Sequence, residues 1–102
     1  MKLAIVGATG LVGREIIKVL EERNIHPSVF IPVASNRSVG KSVYFHNRDH
    51  IIKSHEEVIE MRPDIAIFSA GGTASKQWAK EYAKAGITVI DNSSAWRIRL
   101  GS

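Results

Sequence analysis

Apolar residues along this chain fall in short unbroken runs, and between those runs they recur at helical spacing. Residues 2–6 predict a strand covered on both faces, because Leu3, Ala4, Ile5 and Val6 do not alternate with polar residues. Residues 11–23 predict a helix. Val12, Ile16, Val19 and Leu20 share one face, and Arg14, Lys18, Glu21 and Glu22 lie mostly elsewhere. Asn24 closes that helix and Pro27 forbids its continuation. Residues 29–34 predict a second strand. Pro32 has no ladder hydrogen to donate, so a bulge or a shorter strand is expected there. Residues 43–45 and 51–52 predict short strands whose register the pattern does not set.

Ser54 and Glu57 have the spacing of a capping box, in which each side chain satisfies the other residue's amide. The helix it opens runs through Val58 and Ile59 to Met61, and Pro63 ends it. Residues 64–69 predict a central strand around Ile65, Ala66, Ile67 and Phe68. Gly71-Gly72 makes the following turn. A helix over 74–84 presents Ala74, Trp78 and either Tyr82 or Ala85 at helical spacing, with Gly86 as its stop. Trp78 and Tyr82 read as core or interface residues. Residues 87–90 predict another strand, and Asp91-Asn92-Ser93-Ser94 a polar strand-end loop. This alternation predicts an α/β fold: Rossmann-like, doubly wound, with a mainly parallel sheet and helices on both faces.

A chain of 102 residues is one domain, and 44% hydrophobic with 24% charged residues is the balance of a soluble globule. It has no cysteine, which excludes disulfides, thiolate metal sites and a cysteine nucleophile within these residues. The net charge of +4 suits an anionic, phosphate-rich ligand. The basic residues are dispersed and form no nucleic-acid module, so nucleic acid is not expected as a partner. Gly7, Thr9 and Gly10 interrupt the apolar start, which argues against a signal peptide. No run approaches the roughly 20 apolar residues of a membrane span, so a cytoplasmic protein without membrane partners is expected.

Chemistry concentrates at the ends of the predicted strands. Gly7, Gly10 and Gly13 join the first strand to the first helix with the spacing GxxGxxG, a variant of the dinucleotide fingerprint. Gly7 permits the tight exit, Gly10 clears the approach of pyrophosphate, and Gly13 lets the helix pack against the sheet. Amides at the helix start then face phosphate oxygens. A purely structural glycine turn is the alternative. The loop after the second strand, residues 35–41, holds Arg37 and Lys41 and no carboxylate. An NAD site usually places Asp or Glu there, so Arg37 with Ser35 or Ser38 favours the 2′-phosphate of NADP. Otherwise this is a solvated basic loop. Ser69-Ala70-Gly71-Gly72-Thr73 offers either a close approach to a cofactor or a plain turn capped by Thr73. Asn92 could orient nicotinamide or substrate, and Arg97 could hold an anionic group or be merely exposed. His26, His46, His50 and His55 have no metal-binding spacing and read as loop or helix-surface residues. One carboxylate, Asp91, cannot establish acid–base chemistry.

Gly7-Ala8-Thr9-Gly10-Leu11-Val12-Gly13, Ala34-Ser35-Asn36-Arg37-Ser38 with Gly40-Lys41, Phe68-Ser69-Ala70-Gly71-Gly72 and Asp91-Asn92-Ser93-Ser94-Ala95-Trp96-Arg97 occur in this order. As an ordered set they resemble aspartate-β-semialdehyde dehydrogenase. The resemblance covers nearly the whole chain but only the N-terminal part of such an enzyme. It implies NADPH-dependent reductive dephosphorylation of β-aspartyl phosphate to aspartate semialdehyde, on the route to lysine, threonine and methionine. It implies that Gly7, Thr9, Gly10, Leu11 and Val12 form the pyrophosphate loop. Ser35, Arg37 and Ser38 then take the 2′-phosphate, and Ser69, Ala70 and Gly71 touch the cofactor. Arg97 receives the substrate phosphate or inorganic phosphate.

The family's catalytic cysteine and histidine are not assignable here, so no catalytic residue is expected in this chain and no turnover by it alone. Residues 1–100 are expected to be a truncated NADP-binding domain, and 101–102 a cloning remnant. The parent enzyme is expected to be a homo-oligomer and the isolated chain to self-associate weakly, with Trp78, Tyr82 and Trp96 as possible contributors. An N-acetyl-γ-glutamyl-phosphate reductase-like domain resembles the same architecture, though Asp91-Asn92-Ser93-Ser94-Ala95 fits it less well. A short-chain dehydrogenase, without its Tyr-x-x-x-Lys, is a weaker alternative. A non-enzymatic NADP-binding sensor is the reading from a different class.

Overall fold

The computed structural model describes residues 1–69 and 72–91. In chain order the elements are β1 (Lys2–Val6), α1 (Leu11–Glu22), β2 (Val29–Val33), β3 (Ser42–Phe45), β4 (Arg48–Ile51), α2 (His55–Met61), β5 (Ile65–Phe68), α3 (Thr73–Lys84) and β6 (Thr88–Asp91). The main sheet has the order β2-β1-β5-β6 with every pairing parallel. The chain moves outward from β1 to β2, then crosses back to β5 on the other side of β1. The strand order therefore reverses between β1 and β5, and a crevice opens beyond their carboxyl ends.

Side-chain alternation on the strands sorts the core into two layers. Leu3, Ile5 and Phe30 pack with Ile17 and Leu20 of α1 and with Phe45 of β3. Ala4, Val6, Ile31, Val33, Ala66 and Phe68 pack on the opposite face with Val58 of α2 and Tyr82 of α3. Helices on both faces and a parallel sheet are the architecture expected from the pattern.

Several details differ from the pattern. The buried residues of α1 are Gly13, Ile17 and Leu20, while Val19 is 38% exposed and Val12 is only half-buried. Glycine has no apolar side chain to count, so the sequence pattern centred the buried stripe one position too early. Pro32 neither bulges nor ends β2. It stands opposite Ile5 in continuous register, and its carbonyl accepts the Lys53 amide at 3.0 Å. Its backbone therefore faces the outer edge, away from β1, where a missing amide hydrogen costs the β1–β2 ladder nothing. The strand ends at Val33 rather than Ala34. Asp91 is the last residue of β6, opposite Phe68, and not part of the following loop.

The short strands form an antiparallel hairpin, with Phe45 opposite Arg48. Its turn residues His46 and Asn47 have φ of 49° and 65°, the left-handed pair that a two-residue hairpin turn needs. Stacking of Phe45 on Phe30 at 4.2 Å fixes the hairpin beneath the end of α1. Asn24 does close α1: it is left-handed, with φ 54°, and the Ile25 amide returns to Leu20 O at 2.9 Å. Gly86 closes α3 in the same way, the Ile87 amide reaching Tyr82 O at 3.1 Å.

Candidate dinucleotide-binding site

At the crevice, the turn after β1 is held by its own backbone. Gly7 has φ 85°, which an L side chain rarely adopts. Its amide and that of Ala8 both donate to Val33 O, at 2.8 and 3.1 Å, tying the exit of β1 to the end of β2. The Gly10 amide closes the turn on Gly7 O at 3.0 Å. Helix α1 then begins with Gly10 as N-cap and without a side-chain cap. The intrahelical ladder starts with the Arg14 amide donating to Gly10 O, so among the described residues the amides of Leu11, Val12 and Gly13 are left without a backbone partner, at the positive end of the helix dipole.

The glycines divide their work. A Cβ on Gly13 would lie 2.1 Å from Gly7 O and 2.9 Å from Gly7 C, a collision with backbone. A Cβ on Gly10 would meet Gly7 O at 3.4 Å, an ordinary contact. Gly13 is thus required by packing within the protein. The fold can tolerate a methyl at Gly10, which lines the cavity at the start of α1.

Ser69 lies across the crevice and is buried. Its amide and its hydroxyl both donate to Val6 O, at 3.0 and 2.6 Å, with Gly7 O at 3.2 Å from the hydroxyl. That hydroxyl hydrogen clamps the end of β5 to the end of β1. Gly7, Thr9, Gly10, Leu11, Val12, Ala34, Ser35 and Ser69 line one cavity of about 410 Å³. The loop after β2 consists of successive turns, the Ser38 amide donating to Ser35 O at 2.8 Å and the Lys41 amide to Ser38 O at 3.0 Å. Ser35 and Arg37 are exposed and Ser38 is half-buried. Among the described residues Arg37 has no ion-pair partner.

The chain matches the family model described as semialdehyde dehydrogenase, NAD binding domain, over residues 2–100. It belongs to the semialdehyde dehydrogenase family. An aspartate-semialdehyde dehydrogenase of Aquifex aeolicus is 50% identical over 95% of this chain and 29% of its own length. The crystal structure of aspartate semialdehyde dehydrogenase II from Vibrio cholerae, in complex with ASA, superimposes with a TM-score of 0.79 at 42% identity, over 87% of this chain and 29% of that one. A probable aspartate-semialdehyde dehydrogenase from Pseudomonas aeruginosa gives a TM-score of 0.80 at 30% identity, covering 91% of this chain and 28% of that one. The chain therefore spans under a third of the length of these relatives. A nicotinamide dinucleotide is the cofactor class of this domain family.

Within this semialdehyde dehydrogenase domain, the crevice brings together Gly7, Thr9, Gly10, Leu11, Val12, Ser35 and Ser69, with Arg37 and Ser38 on the neighbouring loop. Ala70, Gly71, Asn92 and Arg97 lie outside the described residues, as do Trp96 and 101–102. Thr73 is not a cap: Gly72 is the N-cap of α3, and no side chain closes it. Tyr82, expected as a contributor to self-association, is instead fully buried. Among the described residues no helix is long and apolar enough to cross a membrane, and no cluster of His, Cys, Asp or Glu could hold a metal ion.

Residue-by-residue reading missed His55. It is the first residue of α2 and lines a second cavity of about 410 Å³ with Val6, Gly7, Ala34, Ser35 and Asn36. The signal was present. A helix joining parallel strands runs back against them, so its N-terminus lies at the carboxyl edge of the sheet. The capping box had already placed that N-terminus, and it is fully formed: Ser54 Oγ accepts the Glu57 amide at 3.2 Å, and the Ser54 amide donates to Glu57 Oε1 at 3.1 Å. These bonds hold the Glu57 carboxyl below its usual pKa. Burial lowers the pKa of His55, partly opposed by Glu56, and burial raises that of Tyr82. The other histidines lie at the opposite end of β2, where His26 stacks on His46 at 3.9 Å and His50 meets Phe30 edge-on.

Proposed function

We propose that this chain is the NADP(H)-binding domain, residues 1–100, of a cytoplasmic, homo-oligomeric aspartate-semialdehyde dehydrogenase. The whole enzyme reductively dephosphorylates β-aspartyl phosphate to aspartate semialdehyde and inorganic phosphate, in the formation of lysine, threonine and methionine. The observation that carries this reading is the uncapped start of α1 at the point where strand order reverses. Leftover amides, a tolerant Gly10 and a crowded Gly13 together fit a pyrophosphate group.

When bound, the cofactor supplies the hydride that takes the place of phosphate on the acyl carbon. The chain's own residues bind and orient. Gly7, Thr9, Gly10, Leu11 and Val12 cradle the pyrophosphate. Arg37 pairs with the 2′-phosphate, and Ser35 and Ser38 donate hydroxyl hydrogens to it. Ser69, Ala70 and Gly71 let the cofactor lie close to backbone, and Asn92 orients nicotinamide or substrate. Arg97 holds the substrate phosphate or inorganic phosphate. The acyl-accepting nucleophile belongs to residues outside this chain, which has no cysteine.

Amide-resolved NMR during an NADP⁺ titration tests the reading. Leu11, Val12 and Gly13 amides should shift together and saturably. A titration to millimolar NADP⁺ that leaves them unmoved would remove the assignment.

A further inference from the structure

Resting on that reading, we infer that His55, held between Trp78 and Tyr82, is the residue that contacts the adenine base of the cofactor. The cavity it lines is bounded on one side by the ends of β1 and β2 and on the other by His55, Glu56, Ala74, Ser75 and Trp78. This cavity shares Gly7, Ala34 and Ser35 with the phosphate cavity, so the two adjoin. The covalent order of the cofactor then fixes what each part receives. The ribose carrying the 2′-phosphate lies by the Ser35–Arg37 loop, and the base on that ribose is adenine. Its nearest space is the His55 cavity.

The wall there is built for a flat, uncharged ring. The His55 imidazole stacks on the Trp78 indole with centroids 4.4 Å apart and planes 10° from parallel. Its Nδ1 is hydrogen-bonded to the Tyr82 hydroxyl at 2.9 Å, and Tyr82 is fully buried, so the ring is fixed in orientation. Any hydrogen bond to a base falls to Nε2. Glu56 on the cavity lining repels phosphate and leaves this part of the crevice to the base. Aromatic and imidazole faces are common platforms for purines.

The experiment follows the His55 ring by long-range ¹H–¹⁵N NMR, with the Leu11–Gly13 amides as internal reference. Its probes are NADP⁺, adenosine 2′,5′-bisphosphate and inorganic pyrophosphate. NADP⁺ and the bisphosphate should move the His55 ring, and pyrophosphate should move the amides alone. His55→Ala should weaken the bisphosphate about fivefold or more, the low end of ring–base stacking, without changing pyrophosphate binding. His55→Phe, which keeps a flat ring against Trp78, should recover part of the loss. Should NADP⁺ move the amides but leave the His55 ring unchanged, the inference is overturned while the cofactor reading stands. Equal movement of the ring by pyrophosphate also overturns it. Should no probe move the amides, both fall together.

Discussion

The loops that leave β1 and β2 lie side by side at one sheet edge and are built by opposite means. The β1 loop is backbone. Its shape is fixed by a left-handed Gly7, by amides donated to Val33 O and by a helix that touches it through Gly13. The β2 loop holds itself through short turns and projects side chains, among them an exposed Arg37. Backbone amides are the same in every sequence, so the first loop can bind what all nicotinamide dinucleotides share. Side chains differ, so the second can choose among them. Binding and selectivity are therefore separable by mutation.

The largest expected effect strikes the backbone loop from inside. Gly13→Ala places a methyl into Gly7 carbonyl backbone that has no flexible atom to give way. We expect a loss of about 3 kcal/mol or more in urea unfolding, at the upper end of overpacking costs. A loss below about 1 kcal/mol would mean that α1 slides outward freely, outside that usual range. Gly10→Ala attacks the same loop from the ligand's side. Stability should change by about 1 kcal/mol or less, as for a cap substitution. NADP⁺ affinity should fall at least about tenfold, or roughly 1.4 kcal/mol. Melting curves paired with titrations separate the outcomes, and unaltered affinity would detach Gly10 from the phosphate.

Legibility followed the same division. Strands β1, β2 and β5, the capping box and both helix stops were readable, because each depends on a local run or a local hydrogen bond. The glycine loop was readable because glycine is the residue its geometry demands. What the sequence hid was set by distant partners. The docking of the hairpin depends on Phe45 meeting Phe30, and the tolerance of Pro32 depends on β2 turning its outer edge toward Lys53. Gly13 concealed the true buried stripe of α1. His55 escaped because its importance comes from Trp78 and Tyr82, distant in sequence and adjacent in space.

Smaller effects test how firmly α2 holds its end of the crevice. Ser54→Ala removes the hydroxyl that caps α2 and should cost about 1 kcal/mol. Glu57 titrates below its ordinary value of 4.5, so its share of stability is present above that pH and is lost as pH falls through the lowered value. In Ser54→Ala the acid limb of a melting-temperature profile should be shallower. An unchanged limb would assign acid sensitivity elsewhere. His55 also titrates below its ordinary 6.5, because burial opposes its charge. Below that pH the unfolded chain takes up a proton that the folded chain resists, so stability should decline as pH falls through and below 6.5. His55→Asn should flatten this part of the profile, and an unaltered slope would contradict the assignment.

The division between the two loops is tested most directly by calorimetric titration of NADP⁺ and NAD⁺ into the wild-type chain and Arg37→Ala. The wild type should prefer NADP⁺. Losing a charge-assisted contact of about 1.5–3 kcal/mol should cut NADP⁺ affinity about tenfold or more and change NAD⁺ affinity less than about twofold. Equal losses for the two cofactors would contradict the account, because Arg37 would then serve the loop's structure or the shared phosphates and not the choice between them.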